Sequence, residues 1–340
     1  MHIIATIGPK TSDKHNIKEL IENGVGILRL NCSHFNKVEF EEIIKVARSI
    51  NKDIIILVDL CGKKIRVSKE LKYIYKIYND QEIYFCGEDF YQKIDTSRLG
   101  KMKLIPLTIS SEEIMKSDIN SISMKDNSMT FEVIEKDRSV IKVRVIKGGI
   151  IRGGKGCNLS NIYENKKYLS ENDKEHVLWA LDNDVDIICQ SFVERRKEIE
   201  EISKMLRERS NNKCEVWAKI ETPKGIDNIE EILNCVSCII IGRGDLVPES
   251  GIFKAVNLQE KAIKFIKSRN REVIIATHLL NSMKDGQQAT LPEVECISKF
   301  IKYKVSGFLL AGETSIGKAP IQTVKFLKDS IKYYRDNVLE

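Results

Sequence analysis

Eight short runs rich in β-branched and aliphatic residues recur along the chain, and their order constrains the fold more than any other feature: HIIATIG, GILRLNCSH, DIIILVDL, VDIICQSFV, EVWAKIET, CIIIGRGDL, EVIIATHLL and GFLLAGET. All but the third are followed promptly by an amphipathic helical stretch, such as NIKELIENG after the first and RRKEIEEISKMLRER after the fourth. The rhythm is therefore β-α repeated. Continuous apolar strands alternating with helices imply a parallel sheet buried on both faces. Eight such units predict an α/β fold closed into a (β/α)8 TIM barrel.

The third unit is interrupted. After DIIILVDLCGKKIRV the chain turns strand-rich, and the alternating segments MTFEVIEKD and SVIKVRVIKGG, with a charged turn between them, read as a hairpin. We expect residues 68–157 to form an inserted small β-barrel lid domain after strand three, with 1–67 and 158–340 making up the barrel. SENDKEHVLWALDND opens with a Ser N-cap and restores the postponed helix, and PIQTVKFLKDSIKYYRDN closes the ring. The length of 340 residues suits one barrel of about 250 residues plus an insertion of about a hundred.

The net charge of +6 is spread evenly, so no nucleic-acid partner is expected. A mildly basic balance suits small anionic substrates instead. No apolar run approaches the ~18 residues of a membrane span, and MHIIATIGPK lacks the regions of a signal peptide, so the expected place is the cytoplasm with no membrane partner. Nine cysteines, an odd number lying mostly inside apolar runs, fit buried thiols of a reducing compartment. Cys235 and Cys238 form a lone CxxC with no second pair to complete a zinc set.

In this architecture active-site residues stand at the C-terminal ends of strands. Here Arg29, Asn31, Ser33 and His34 end strand two, Asp59 strand three and Ser191 strand four. Lys219 and Glu221 end strand five, Arg243 and Asp245 strand six, Thr277 and His278 strand seven, and Glu313 strand eight. A single charged strand end is usually a loop salt bridge, whereas polar groups on seven successive strands at one end point to a site. Lys219 and Glu221 share a face because side chains repeat every two residues. Two carboxylates on neighbouring strands, Glu221 and Asp245, suit Mg²⁺ or Mn²⁺ with oxygen and water ligands rather than zinc. Lys219 beside that ion makes an anion site, and the glycines of Gly242-Arg243-Gly244-Asp245 let backbone N–H groups approach a ligand.

IATIGP, LRLNCSH, LVDLCGKKIR, KGCNLSN, SENDKEHVLWALDNDVD, SFVERR, AKIET, GRGDL, IIATHLLNSM and AGETSIGKAP, in this order, resemble the pyruvate kinase family over nearly the whole chain. The resemblance implies transfer of the phosphoryl group of phosphoenolpyruvate to ADP and protonation of the enolate, giving pyruvate and ATP. It implies that Glu221 and Asp245 hold the metal and that Lys219 neutralises the transferring group. Arg29 would hold the phosphoryl oxygens, and Gly244, Asp245 and Thr277 the substrate carboxylate. Thr277, with Glu313 behind it, would form the proton route. Asn31, His34 and Arg66 would line the nucleotide side, and Asp126 would be the acidic residue that the family's lid brings over the site.

Departures from the family pattern carry their own expectations. Leu60, Cys61 and Lys64 stand where most relatives have Thr, Lys and Glu. This pattern resembles the subset that works without potassium, with the Lys64 ammonium replacing that ion beside Asn31, Ser33 and Asp59. Asn172 stands where a nucleotide-contacting lysine is usual, and His278 where Gln is common. The family's C-terminal regulatory domain is expected to be absent, and with it the allosteric sugar-phosphate site; a dimer is the expected oligomer. Two other readings remain open: a different phosphoryl acceptor or a metal-dependent pyruvate aldolase or decarboxylase, which would explain Asn172, and a non-catalytic binding protein.

Overall fold

The computed structural model describes residues 1–95, 100, 102–124, 128–160, 162, 168–209 and 213–338. Each of the eight apolar runs forms a strand: β1 His2–Thr6, β2 Ile27–Asn31, β3 Ile55–Asp59, β4 Ile187–Gln190, β5 Glu215–Ile220, β6 Cys238–Gly242, β7 Glu272–Ala276 and β8 Gly307–Leu310. Neighbouring strands pair in parallel all the way round and the sheet closes, β1 pairing with both β2 and β8. Inward positions such as Ile4, Ile27, Leu57, Cys189, Trp217, Ile240 and Ile274 fill the barrel interior as one cluster. The alternate positions pack outward under the helices.

Continuing the inward alternation towards the strand ends replaces apolar with polar side chains. Ile4 is followed on that face by Thr6, Ile27 by Arg29 and Asn31, Leu57 by Asp59, Cys189 by Ser191, and Trp217 by Lys219 and Glu221. The same period that fills the barrel therefore aims these groups into one mouth.

Contacts divide the chain into two units, Met1–Gly62 with Tyr168–Glu340, and Lys63–Lys167. The inserted unit is wider than the expected 68–157 because Ile65, Val67, Leu159 and Ile162 belong to its core and Arg66 bridges to Gly156. Its strands form a six-stranded sheet and a two-stranded one, Tyr75–Ile77 with Gly149–Ile151. Within the larger sheet, Met129–Asp137 and Val140–Lys147 pair antiparallel, the hairpin expected from their alternation. Phe85 and Phe131, fully buried with rings edge to face at 5.4 Å, lie in the insert's own core.

The helix Glu171–Asp182 begins at the expected cap, Ser170, whose side chain accepts from the Asp173 N–H, and the last helix runs Pro320–Val338. All nine cysteines are free, Cys235 and Cys238 among them. Among the described residues no helix is long and apolar enough to cross a membrane.

Candidate active site

Four ionisable groups, three of them buried and Lys219 nearly so, meet at the ends of β2, β3 and β5. Asp59, 1% exposed, accepts on one oxygen from Arg29, at 2.8 Å from Nε and 2.6 Å from a terminal nitrogen. The same oxygen lies 3.5 Å from Lys219 Nζ, and the other accepts from the Ser191 hydroxyl at 2.6 Å. Lys219 is also 3.2 Å from Glu221 Oε1 and 3.3 Å from Ser191 Oγ. Arg29 also donates to Thr6 Oγ1 at 2.8 Å.

Burial alone would raise the Asp59 carboxyl, but Lys219 and Arg29 with the Ser191 hydroxyl hold it below its ordinary value. Burial would likewise strip the proton from Lys219, and Asp59 and Glu221 reverse this, so its ammonium is held more firmly than a free lysine's. The array is a fixed field of charges, preset before any ligand arrives.

Glu221 is positioned from two sides. Its Oε2 accepts from the Phe192 N–H at 3.2 Å, which the left-handed Phe192 backbone at φ +56° turns toward it. Its carboxyl rests against Gly242, where a Cβ would stand 2.7 Å from Glu221 Cγ and Oε1. Three residues on, Asp245 lies in the first turn of the helix Arg243–Ser250. Among the described residues no cluster of three or more His, Cys, Asp or Glu is arranged to hold a metal. What the chain offers is two carboxylates, the donor set of a Mg²⁺ that keeps its remaining positions for substrate and water. Glu221, fitted into the space that Gly242 leaves free, suits that use. Formally, two cations stand against three carboxylates here, so a bound divalent ion would leave a surplus positive charge for an anion.

After β7 the chain takes two successive left-handed residues, Thr277 at φ +67° and His278 at φ +52°. For a β-branched threonine this costs on the order of 1–3 kcal/mol and persists only where surroundings enforce it. Arg243 does so, donating to the Thr277 carbonyl from Nε at 3.0 Å and from a terminal nitrogen at 2.5 Å, and to the His278 carbonyl at 2.6 Å. Its guanidinium lies 5.1 Å from the centre of the Phe300 ring. The Thr277 hydroxyl accepts from the Gly244 N–H at 2.7 Å, which brings those two expected carboxylate-binding groups together. Glu313, 2% exposed, accepts from the Ala311 N–H at 2.9 Å. The His278 ring is 3.1 Å from the Asn281 amide.

The nucleotide and monovalent-cation sets are divided between the two units. Asn31 pairs with Asp59 across β2 and β3 and accepts from the Ser33 N–H, while His34 is exposed in the following turn. Lys64 and Arg66 belong to the inserted unit, Lys64 donating to Asn158 Oδ1 at 3.0 Å and Arg66 to the Gly154 carbonyl at 3.2 Å. Asp126 lies outside the described residues. Asn172 is exposed, and the neighbouring Lys174 is taken up by Glu171 and Glu201 at 3.1 and 3.5 Å. Sequence reasoning passed over Thr6 and the clamp formed by Arg243. Thr6 had a usable signal, its place two residues beyond the inward Ile4.

Residues 1–324 match the family model described as pyruvate kinase, barrel domain. A pyruvate kinase of Thermoplasma acidophilum is 28% identical over 99% of this chain and 58% of its own length. One from Sporosarcina psychrophila is 30% identical over 95% and 55%, and one from Thermotoga maritima 29% identical over 97% and 70%. The chain thus spans a little over half the length of the first two relatives.

Proposed function

Because the chain belongs to the pyruvate kinase family, we propose that it transfers the phosphoryl group of phosphoenolpyruvate to ADP or another nucleoside diphosphate, releasing pyruvate and the triphosphate. The observation that carries this reading is the buried array of Arg29, Asp59, Lys219 and Glu221. Phosphoryl transfer needs charge neutralisation and alignment more than covalent chemistry, and an array fixed before binding supplies both.

In this reading Glu221 and Asp245 would hold Mg²⁺ or Mn²⁺. When bound, the ion supplies Lewis-acid polarisation of phosphoryl and enolate oxygens. Lys219 neutralises charge on the transferring group and on the enolate oxygen it leaves behind. Arg29, immobilised by Asp59 and Thr6, presents its guanidinium to the phosphoryl oxygens from the other side. Gly244 N–H and the Thr277 hydroxyl receive the substrate carboxylate, exchanging the hydrogen bond they now make with each other. Thr277, with Glu313 behind it, delivers the proton to the enolate carbon through water.

Asn31, His34, Arg66 and Asp126 are assigned to the nucleotide side. Asn31, Ser33, Asp59 and Lys64 make up the place of a monovalent cation, with the Lys64 ammonium standing in for potassium. The inserted unit would act as a lid that excludes water. Cytoplasmic placement and a dimer complete the proposal.

Incubating the protein with phosphoenolpyruvate, Mg²⁺ and each nucleoside diphosphate, with and without potassium, tests it. Matched release of pyruvate and triphosphate, indifferent to potassium, is expected. A strict potassium requirement would remove the Lys64 assignment, and pyruvate formed without triphosphate would move the reading to an oxo-acid enzyme.

A further inference from the structure

Asp173 takes no part in the chemistry above, yet it is a carboxylate 1% exposed, buried at the start of the helix Glu171–Asp182. Its two oxygens accept from two successive backbone N–H groups more than a hundred residues earlier, Cys61 at 3.0 Å and Gly62 at 3.1 Å. These belong to the turn by which the chain leaves β3. The turn is also held on its other side: the Leu60 N–H donates to the Cys189 carbonyl at 2.8 Å. Gly62, at φ +62°, packs so closely that a Cβ there would stand 2.2 Å from the Ser191 carbonyl oxygen. Ser191 in turn donates to Asp59 and lies beside Lys219.

We propose that Asp173 is a positioning residue: it ties the turn after β3 to the helix that follows the insertion, and so holds Asp59 and Ser191 in the register on which Lys219 is aligned. The segments joined, Cys61–Gly62 and Ser170–Asp173, adjoin the two points where the chain passes between the units, after Gly62 and before Tyr168. One carboxylate therefore fixes both crossings on the barrel side. Only an ionised carboxylate offers lone pairs from both oxygens to two converging donors, whereas an asparagine would turn its own N–H groups toward one of them. Burial raises the carboxyl to about 6, against the pull of the Cys61 N–H, Ser170 and the Gly62 N–H. The charge is thus kept at a cost in stability, as expected of a group retained for position.

The catalytic part of this inference rests on the phosphotransfer reading, whereas the structural part is tested without it. In Asp173→Asn, hydrogen exchange at the Cys61 and Gly62 amides should rise about ten- to a hundredfold, the range for losing a charge-assisted hydrogen bond. Exchange at Leu60, which donates elsewhere, should change little. Turnover should fall at least tenfold in kcat, with Mn²⁺ affinity at Glu221 and Asp245 unchanged. Unaltered exchange at Cys61 and Gly62 would overturn the tie. Faster exchange with unaltered kcat would overturn the positioning role and leave the phosphotransfer reading standing. A wild-type protein without turnover would sink that reading alone, the exchange result still deciding the tie. Should the variant fail to fold, the wild type decides: Cys61 and Gly62 amides protected comparably to Leu60 support the tie, and exchange at the rate of an open chain refutes it.

Discussion

The barrel and the inserted unit bury different things. Among the described residues, every buried charged side chain lies in the barrel unit, including Arg29, Asp59, Asp173, Glu194, Glu198, Glu221 and Glu313, whereas the insert's buried polar side chains are Ser68 and Ser117. The insert's ion pairs, such as Lys142 with Glu82 at 2.7 Å, sit at its surface. Burying a charge is unfavourable unless it is paired, so the barrel gives up stability to hold a field in place, and the insert does not. The difference teaches where to look for chemistry: in the unit that retains unfavourable groups, at the positions where they compensate one another.

The contrast can be broken first at Asp59. Asp59→Asn leaves Arg29 and Lys219 buried without their shared carboxylate, and should lower barrel stability by about 3–5 kcal/mol in denaturant unfolding. A loss below 1 kcal/mol would mean the array is not a paired unit. Phe131→Ala should cost a similar 3–5 kcal/mol by opening a cavity. That loss should fall on the insert, because the two units have separate cores. Hydrogen exchange should show the insert's strands opening while β1–β8 stay protected, and uniform loosening of both units would contradict the separation.

Gly242→Ala is the sharper probe of the site, since its Cβ would displace the Glu221 carboxyl. We expect Mn²⁺ affinity to fall about 10–100-fold with little change in melting temperature. Unchanged affinity would remove Glu221 from the metal site.

The two buried aspartates give pH effects of opposite sign. Asp59, held below its ordinary 3.8, contributes stability that is present above that value and lost as the pH falls through its lower folded value. Asp173, raised from 3.8 to about 6, makes the folded chain take up a proton that the unfolded chain does not in that interval. Stability should therefore rise by about 1 kcal/mol from pH 7 to pH 5, and Asp173→Asn should abolish that rise. The smallest expected effect is in the insert: Glu82→Gln, at a surface pair, should leave the midpoint of denaturant unfolding essentially unchanged.

The barrel and its mouth were legible in the sequence because period-two alternation is a local rule. Once Ile27, Leu57 and Trp217 are assigned inward, Arg29, Asp59, Lys219 and Glu221 follow. What was not legible depends on contacts between distant segments. Asp173 meets Cys61 and Gly62 across more than a hundred residues, and Arg243 holds two left-handed carbonyls whose conformation no local pattern announces. The insert's edges were misplaced for the same reason, since Ile65 and Leu159 join a core that closes only in three dimensions.

The most direct test of the account compares wild type with Lys219→Met for phosphoenolpyruvate turnover and, separately, for Mn²⁺ binding. Removing the Lys219 ammonium from the array should lower kcat for matched pyruvate and triphosphate release at least a hundredfold. Mn²⁺ should still bind, because Glu221 and Asp245 remain. Turnover that survives Lys219→Met undiminished would contradict the claim that this buried array performs the reaction.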